Sequence, residues 1–236
     1  MNYDLFLFNG HGDGDMGACF NGYKEQVMAK KLVNRVIEIL KPYNINIHTN
    51  GDLNNYNRNL TKGNSYKYVE GLCIHLNATT NHNATGTEII IPSKLANFTM
   101  EQDILNGIAA LGFYNRGVKS RDYDSEQFIK RVNGSGCYFK DYYREIRECY
   151  NNGYYLSILE VCFIDSSDIN LFNSKFENIA QVIANAIIKR YCLKKSTSEN
   201  VVYRVITGSY TNKENADKRV EELKKKGYDS FIEVKK

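Results

Sequence analysis

The stretch that decides the fold is YDLFLFNGHGDGDMGACFNGYKE, residues 3–25. Its apolar first part predicts a buried strand that runs into a glycine-rich loop containing His11. A helix predicted to start near Tyr23 carries Glu25 in its first turn. Glycine lets the backbone approach a ligand closely, and ligands of open α/β sheets bind beyond the carboxyl ends of the strands. We therefore expect His11 and Glu25 to be two ligands of one metal ion.

The rest of the chain alternates between strand and helix patterns as far as residue 191. Apolar residues at helical spacing predict four helices, and short apolar or β-branched runs predict further strands. The predicted helices are 23–41, 99–111 (with Thr99 as N-cap), 140–151 and 171–191, and the predicted strands are 45–47, 68–76, 89–91 and 154–161. The pattern is typical of an α/β fold, a sheet covered by helices on both faces. The polar stretch 51–64 is expected to be a surface connection with a helical turn near 56–60, and 116–119 a basic loop or edge segment.

The last 44 residues begin with a break in the strand–helix alternation of the first part of the chain. The polar, aperiodic segment 193–200 is predicted to be a linker, which leaves a first domain over residues 1–192. Residues 201–236 are predicted to form a small βαβ module, with strands at 201–209 and 228–234 around a helix at 212–226. A unit of this size buries little core by itself. It is therefore expected to dock on the first domain or to pair with a second copy.

Composition excludes several classes of protein. The chain has 236 residues, 42% of them hydrophobic, and a formal net charge of only +4, which does not predict nucleic-acid binding. No apolar run is long enough to span a membrane. The N-terminus lacks the pattern of a secretory signal, so we expect synthesis in the cytoplasm. Six scattered cysteines without a CxxC pair predict neither a disulfide framework nor a zinc finger.

Two residues beyond the opening stretch complete a candidate metal site. His75 ends a predicted strand, and parallel strands bring their carboxyl ends to one edge of a sheet. His11, Glu25 and His75 would then give two imidazoles and a carboxylate, the usual ligands of a catalytic zinc with an open fourth position. Glu160 lies late in an apolar strand, where burial raises the pKa of a carboxyl. We predict that it is the catalytic acid/base.

Each of these residues also has an ordinary structural interpretation. A single histidine near a strand end is more often a hydrogen-bonded core residue than a ligand, and a glutamate in a first helical turn usually complements the helix dipole. A glutamate inside an apolar strand is harder to explain structurally, because a buried unpaired carboxylate is costly. The other two histidines, His48 and His82, are expected to be structural and solvent-exposed, respectively.

The motifs resemble those of a known family, the zinc-dependent N-acetylmuramoyl-L-alanine amidases of the amidase-3 type. The similarity runs from residue 3 to 191 through the segments GHG (10–12), IHLNA (74–78), GTE (86–88), RGVK (116–119) and LEVCFI (159–164). It implies a mixed, largely parallel sheet, Zn²⁺ held by His11, Glu25 and His75, and Glu160 as acid/base. The reaction would be hydrolysis of the amide between N-acetylmuramic acid and the L-alanine of the stem peptide. Matching positions make Asn77, Glu88 and Arg116 candidate substrate contacts.

This chain departs from the family pattern at two cysteines. Cys162 stands where the family has glycine, and Cys73 where it commonly has serine. Neither is a proposed ligand, so the departures concern fine positioning. The tail, with YRVITGSY (203–210), resembles half of a SPOR repeat, a module that binds septal peptidoglycan. The expected partner is thus peptidoglycan, with a homodimer through paired tails as a further hypothesis, and the expected role is that of an endolysin or autolysin acting on the cell wall.

Three alternatives remain open at this point. One is a zinc carboxypeptidase-like hydrolase on a similar fold, which would release D-alanine instead of exposing the amino group of L-alanine. Another is a non-catalytic wall-binding protein, which the four intact site residues argue against. The third is a cysteine-nucleophile hydrolase using Cys73 or Cys137, for which no paired motif exists.

Overall fold

The computed structural model of the chain describes residues 3–12, 14–49, 70–196 and 206–234. The chain divides into two compact units, Met1–Ser196 and Thr197–Lys236. The predicted helical turn at 56–60 and the second half of the predicted linker, residues 197–200, lie outside the described residues. The domain bounds 1–192, 193–200 and 201–236 therefore stay a prediction.

The first unit is built on a seven-stranded sheet. Two further short strands, β2 (Cys19–Phe20) and β3 (Tyr23–Lys24), form a separate hairpin. The sheet strands are β1 (Tyr3–Asn9), β4 (Ile45–His48), β5 (Glu70–Asn77), β6 (Thr87–Ile90), β7 (Asn115–Arg121), β8 (Phe128–Lys130) and β9 (Leu156–Phe163). Their order is β4-β1-β5-β9-β6-β7-β8. The pairs β4/β1, β1/β5, β5/β9 and β6/β7 are parallel, whereas β6 runs antiparallel to β9 and β8 to β7. The expected mixed, largely parallel sheet is confirmed.

Helices cover both faces of this sheet. They are α1 (Glu25–Leu40), α2 (Thr99–Ala110), α3 (Arg144–Asn151) and α4 (Asp168–Arg190). Helix α4 packs against both α1 and α2 on one face, and α3 packs on β9 at the other face. None of the described helices has the length and apolar composition needed to cross a membrane.

Alternation along β5 decides which side chains face the site. Leu72, Ile74 and Leu76 point into the large core beneath α1 and α4. Cys73 belongs to the smaller apolar cluster on the α3 face, and because successive side chains of a strand alternate, His75 shares that face. The metal-ligand candidate is therefore held by a strand whose opposite face is buried in the main core.

All four helices of the first unit begin one to four residues from the predicted start, and α4 begins at Asp168 instead of 171. Helix α1 begins at Glu25 instead of near Tyr23, because residues 23–24 pair in the β2–β3 hairpin. Helix α3 begins at Arg144 instead of 140, because the backbone N–H of Tyr142 donates to Arg121 O (2.8 Å) and holds this segment extended. In α2, Thr99 is the first helical residue and the N-cap position is Phe98. The basic segment 116–119 is an internal strand, since β8 forms the edge.

The second unit contains helix α5 (Lys213–Lys225), capped by Asn212, whose Oδ1 accepts from Glu214 N at 2.8 Å. The strand predicted over 228–234 is wrong: this segment is irregular, as are residues 206–210, and residues 201–205 lie outside the described chain. A strand needs a neighbouring strand to satisfy its backbone hydrogen bonds, and none is present among the described residues of this unit. None of residues 206–234 is buried, as expected for a segment too short to enclose a core.

Candidate active site

The candidate residues collect at one edge of the sheet because of its mixed topology. His11 follows the carboxyl end of β1, His75 lies near that end of β5, and Glu160 lies in the second half of β9. Strand β6 is antiparallel to β9 and parallel to β7, so their amino-terminal ends, with Glu88 and Arg116, reach the same edge. The ends of five strands, β1, β5, β6, β7 and β9, therefore meet at this edge of the sheet.

His11, Glu25 and His75 form one compact cluster. Glu25, the first residue of α1, places Oε1 2.9 Å from His75 Nδ1 and Oε2 3.2 Å from His11 Nε2. Ligand atoms of all three lie within 4.8 Å of one another, and no other such group of three metal-ligating side chains occurs in the described part of the chain. The structure thus brings together the three residues that the sequence proposed as metal ligands.

Further hydrogen bonds fix the orientation of this cluster. Asp15 Oδ2 lies 2.8 Å from His11 Nδ1, which turns the other ring nitrogen toward Glu25. The backbone N–H of Leu76 donates to Glu25 Oε1 (3.1 Å) and that of Ala18 donates to Oε2 (2.9 Å). Partners of this kind set ring tautomer and carboxylate direction before any ion binds.

Two glycines make the approach of these side chains possible. A Cβ on Gly10 would lie 2.0–2.4 Å from three ring atoms of His75. A Cβ on Gly17 would lie 2.6 Å from both Glu25 Oε2 and His11 Cδ2. His11 itself has a φ of +61°, a left-handed conformation uncommon for residues other than glycine and found at functional sites. The glycine-rich loop is therefore shaped around the cluster.

The charges of the cluster suit a divalent cation. Burial alone would raise the pKa of Glu25, but the neighbouring His11 and His75 outweigh it and hold this pKa well below its ordinary range. The carboxylate is consequently ionised at neutral pH. Two imidazole nitrogens and one carboxylate oxygen are ligands that zinc accepts in catalytic sites, at about 2.0–2.2 Å from the ion. The donor set fits zinc.

Glu160 lies beside this cluster, directly opposite His75 in the β5–β9 register. Its Oε2 is buried without a hydrogen-bond partner among the described residues. Burial raises the pKa of Glu160 to about 7; the charge of His75 opposes this shift, whereas the nearby carboxylates of Glu25 and Glu88 add to it. A carboxyl poised near neutrality exchanges protons readily in both directions.

The cluster and Glu160 open into a cavity of about 430 Å³. Its wall includes Tyr143 and Glu145, which stand at the start of α3 and were not identified from the sequence. That segment had only the pattern of a charged amphipathic helix. The one sequence signal for this part of the cavity wall was Glu145, an acidic residue on the apolar side of the helix. In the structure the Glu145 residue is 8% exposed.

The three candidate substrate contacts lie together but differ in environment. Asn77 lines the cavity. Glu88 is buried and accepts from Asn77 Nδ2 (3.1 Å), from Arg116 Nε (2.8 Å) and from Lys119 Nζ (2.5 Å). Glu88 and Arg116 do not line the cavity and are paired with each other. A role for these three residues in substrate contact stays a prediction.

The remaining histidines lie apart from the cluster. His48 places Nε2 2.7 Å from Asp4 Oδ1 near the opposite end of β1. His82 has a side chain that is 53% exposed, with Nδ1 2.9 Å from the buried Asp165 and its ring against Phe20. Both placements agree with the structural and exposed positions expected from the sequence.

Comparison with known proteins identifies two sequence families in the chain. A family model described as N-acetylmuramoyl-L-alanine amidase matches residues 5–189, and a SPOR domain model matches residues 176–232. The overlap, residues 176–189, lies inside α4, whose apolar side is buried in the core of the first unit. A curated relative, the sporulation-specific N-acetylmuramoyl-L-alanine amidase of Bacillus subtilis, is 27% identical over 98% of this chain and 84% of its own.

Solved structures share the fold of the first unit. The catalytic domain of CwlV from Bacillus (Paenibacillus) polymyxa aligns with a TM-score of 0.60 and 18% identity over 81% of this chain and 99% of that one. An N-acetylmuramoyl-L-alanine amidase from Clostridium difficile 630 aligns with a TM-score of 0.62 and 17% identity over 81% of this chain and 97% of that one. Cwp6 from Clostridium difficile aligns with a TM-score of 0.62 and 22% identity over 80% of this chain. The aligned region covers only 29% of Cwp6.

Proposed function

This chain belongs to the N-acetylmuramoyl-L-alanine amidase family, and we propose that it hydrolyses peptidoglycan with a zinc ion held by His11, Glu25 and His75. Members of this family cleave the amide between N-acetylmuramic acid and the L-alanine of the stem peptide. The observation that carries the proposal is the convergence of the three ligand atoms within 4.8 Å, with Glu160 opposite His75 in the sheet.

Within this site each side chain has a separate task. Asp15 keeps the His11 ring turned toward the cluster, and the amides of Ala18 and Leu76 hold the Glu25 carboxylate. When bound, zinc supplies Lewis acidity at an open coordination position and lowers the pKa of water there. The protein's own contribution is to keep these ligands in place.

Glu160 carries the proton transfers. Its carboxylate accepts a proton from the attacking water as the water oxygen bonds to the lactyl carbonyl carbon. It then returns that proton to the nitrogen of L-alanine as the C–N bond breaks, which leaves a lactyl carboxylic acid and a free amine. At neutral pH the acid then gives up its proton to the amine or to solvent. A pKa raised by burial suits both steps, because Glu160 must first accept a proton and then donate it.

The experiment combines metal analysis with identification of the product. Purified full-length protein should contain about one zinc per chain, and digestion of purified peptidoglycan should expose the α-amino group of L-alanine. A chelator should abolish the release, and zinc but not magnesium should restore it. Protein without zinc that exposes no alanine amine would refute the proposal. Release of D-alanine instead would favour the carboxypeptidase-like alternative.

The second unit adds wall binding to this activity. Because a SPOR model matches residues 176–232, we propose that the tail recognises peptidoglycan. The similarity to a sporulation-specific amidase extends over 98% of the chain, which favours a role in the wall of a sporulating cell over the predicted endolysin role. A fluorescent fusion imaged through growth and sporulation would distinguish these roles, since accumulation restricted to phage lysis would contradict the sporulation assignment.

Dimerisation through the tails stays a hypothesis. Its support is that residues 206–234 bury none of their side chains within their own unit, although Ile206, Phe231 and Val234 are apolar and exposed. Light scattering on full-length protein at micromolar concentration tests it, and a monomeric mass would exclude it.

A further inference from the structure

A second cavity, of about 700 Å³, lies in the first unit outside the site described above. It falls within the range of about 300–1,000 Å³ that is typical of small-ligand sites. Its lining combines aromatic rings, among them Tyr138 and Tyr150, with the cationic side chains of Lys94, Lys140 and Arg147. None of the roles proposed so far uses these residues.

Helix α3 connects this cavity to the active site. Its start contributes Tyr143 and Glu145 to the wall of the active-site cavity, whereas Arg147, Tyr150 and Asn151 line the second one. A helix rises about 1.5 Å per residue, so Glu145 and Asn151 lie about 9 Å apart along its axis. A polymeric substrate seated at Glu160 therefore has a neighbouring segment within reach of the second cavity.

The lining has the chemistry of a carbohydrate site. Tyr138 is 94% exposed, a large amphipathic ring without cover at the mouth of the cavity. Within the lining, Lys94 Nζ lies 4.8 Å from the centre of the Tyr150 ring. Lys140 also lines the cavity, and its Nζ lies 3.7 Å from the ring centre of Tyr123, which lies outside the lining. Ring faces beside fixed polar groups match a sugar, which presents apolar C–H faces together with hydroxyl and amide groups.

We propose that this cavity, resting on the amidase function proposed above, binds the glycan strand of peptidoglycan next to the sugar whose peptide is removed. Its charge favours a weakly anionic glycan over a polyphosphate. Asp124 and Asp141 also line it and oppose the three cations. Arg147 is already engaged, because it donates to the backbone oxygens of Asp141 (2.8 Å) and Tyr142. The second cavity would therefore extend recognition of the polymer beyond the cleaved bond.

The test compares a polymer with a short substrate in the full-length enzyme. The variant Tyr138→Ala/Lys140→Ala removes one exposed ring and one cation, neither of which touches the metal cluster. We expect kcat/KM on long glycan strands to fall about 5- to 10-fold, mainly through KM, as for loss of a ring and a cation from a binding surface. Activity on a muramyl peptide with a single sugar should stay within about twofold.

A matched control and a competition arm make the outcomes decisive. Tyr3 is also an exposed tyrosine, but it begins β1 while His11 follows the other end of that strand, so Tyr3→Ala should leave both activities unchanged. Equal activity of the double variant and the wild type on polymer would overturn the inference, as would an equal loss on both substrates. Inhibition of the wild type but not the variant by a soluble poly(glycerol phosphate) would also overturn it, in favour of a polyanion site. An enzyme inactive on both substrates in the wild type would instead refute the amidase proposal.

Discussion

The substitution Gly10→Ala tests whether the backbone of the first loop positions a metal ligand. Gly10 has an ordinary backbone conformation, so alanine adds no torsional strain at this position. Its backbone N–H also keeps its bond to Ile74 O at 2.9 Å. The only predicted effect is steric, between the new methyl group and the imidazole of His75.

The size of this effect follows from the distances. The methyl carbon would stand 2.0 Å from His75 Cε1 and 2.1 Å from Nε2, whereas carbon atoms in ordinary contact are about 3.5–4.0 Å apart. The ring must therefore move by roughly 1.5 Å. Metal–ligand distances tolerate only about ±0.2 Å, so His75 would leave the ligand set. We expect zinc affinity to fall at least 100-fold and activity to fall with it.

Zinc affinity is measured by competition with a chromogenic chelator, and folding by circular dichroism and urea denaturation. Gly136→Ala is the matched control, because its Cβ would meet only Lys94 O at an ordinary 3.7 Å. Gly10→Ala protein that stays folded and binds zinc as tightly as the wild type would refute the assigned position of His75. An equal loss in the control would show that the effect is not local.

Three further substitutions probe other parts of the molecule. Glu160→Gln should lower kcat by about 10²- to 10⁴-fold with unchanged zinc content, measured by amine release and elemental analysis; near-normal kcat would exclude Glu160 as the proton carrier. Asp15→Ala should weaken zinc binding about 10-fold or more by freeing the His11 ring, and unchanged affinity in the chelator competition would contradict that role. Glu101, buried in α2 with Ser157 Oγ donating to it at 2.7 Å, has its pKa raised by burial from 4.5 to about 7. Between these values the unfolded state binds fewer protons than the folded state, so stability falls as pH rises and the loss is complete above pH 7. Relative to Glu101→Gln, the wild type should lose up to about 3 kcal/mol of unfolding free energy between pH 4.5 and 8; urea denaturation at both pH values measures this, and a pH-independent difference would contradict it.

Sequence patterns identified the parts of the site that depend on strand order. His75 and Glu160 were found because each sits late in an apolar strand, and parallel pairing of β5 with β9 places them side by side. The position of Glu25 was also predicted, although the helix that carries it begins two residues later than expected. Such positions follow from local patterns together with one topological rule.

Other features depend on tertiary contacts that no local pattern encodes. Tyr143 and Glu145 enter the cavity wall because the segment before α3 is held extended along the end of β7. The pairing of Glu88 with Lys119 depends on the parallel register of β6 with β7, which two short strands do not specify. The strand expected at 228–234 had the correct alternation but no neighbouring strand in the described chain.

The wide separation of the ligands in sequence has a consequence for unfolding kinetics. His11 and His75 are 64 positions apart, so the proposed zinc ion would join β1 to β5 as a reversible cross-link. Because only the folded chain presents the assembled ligand set, bound zinc would stabilise the folded state by mass action, in proportion to the zinc concentration relative to its dissociation constant. Loss of the ion would then precede, and set the pace of, the opening of β1 from β5. We therefore expect proteases to degrade the zinc-free protein faster than the zinc-bound protein.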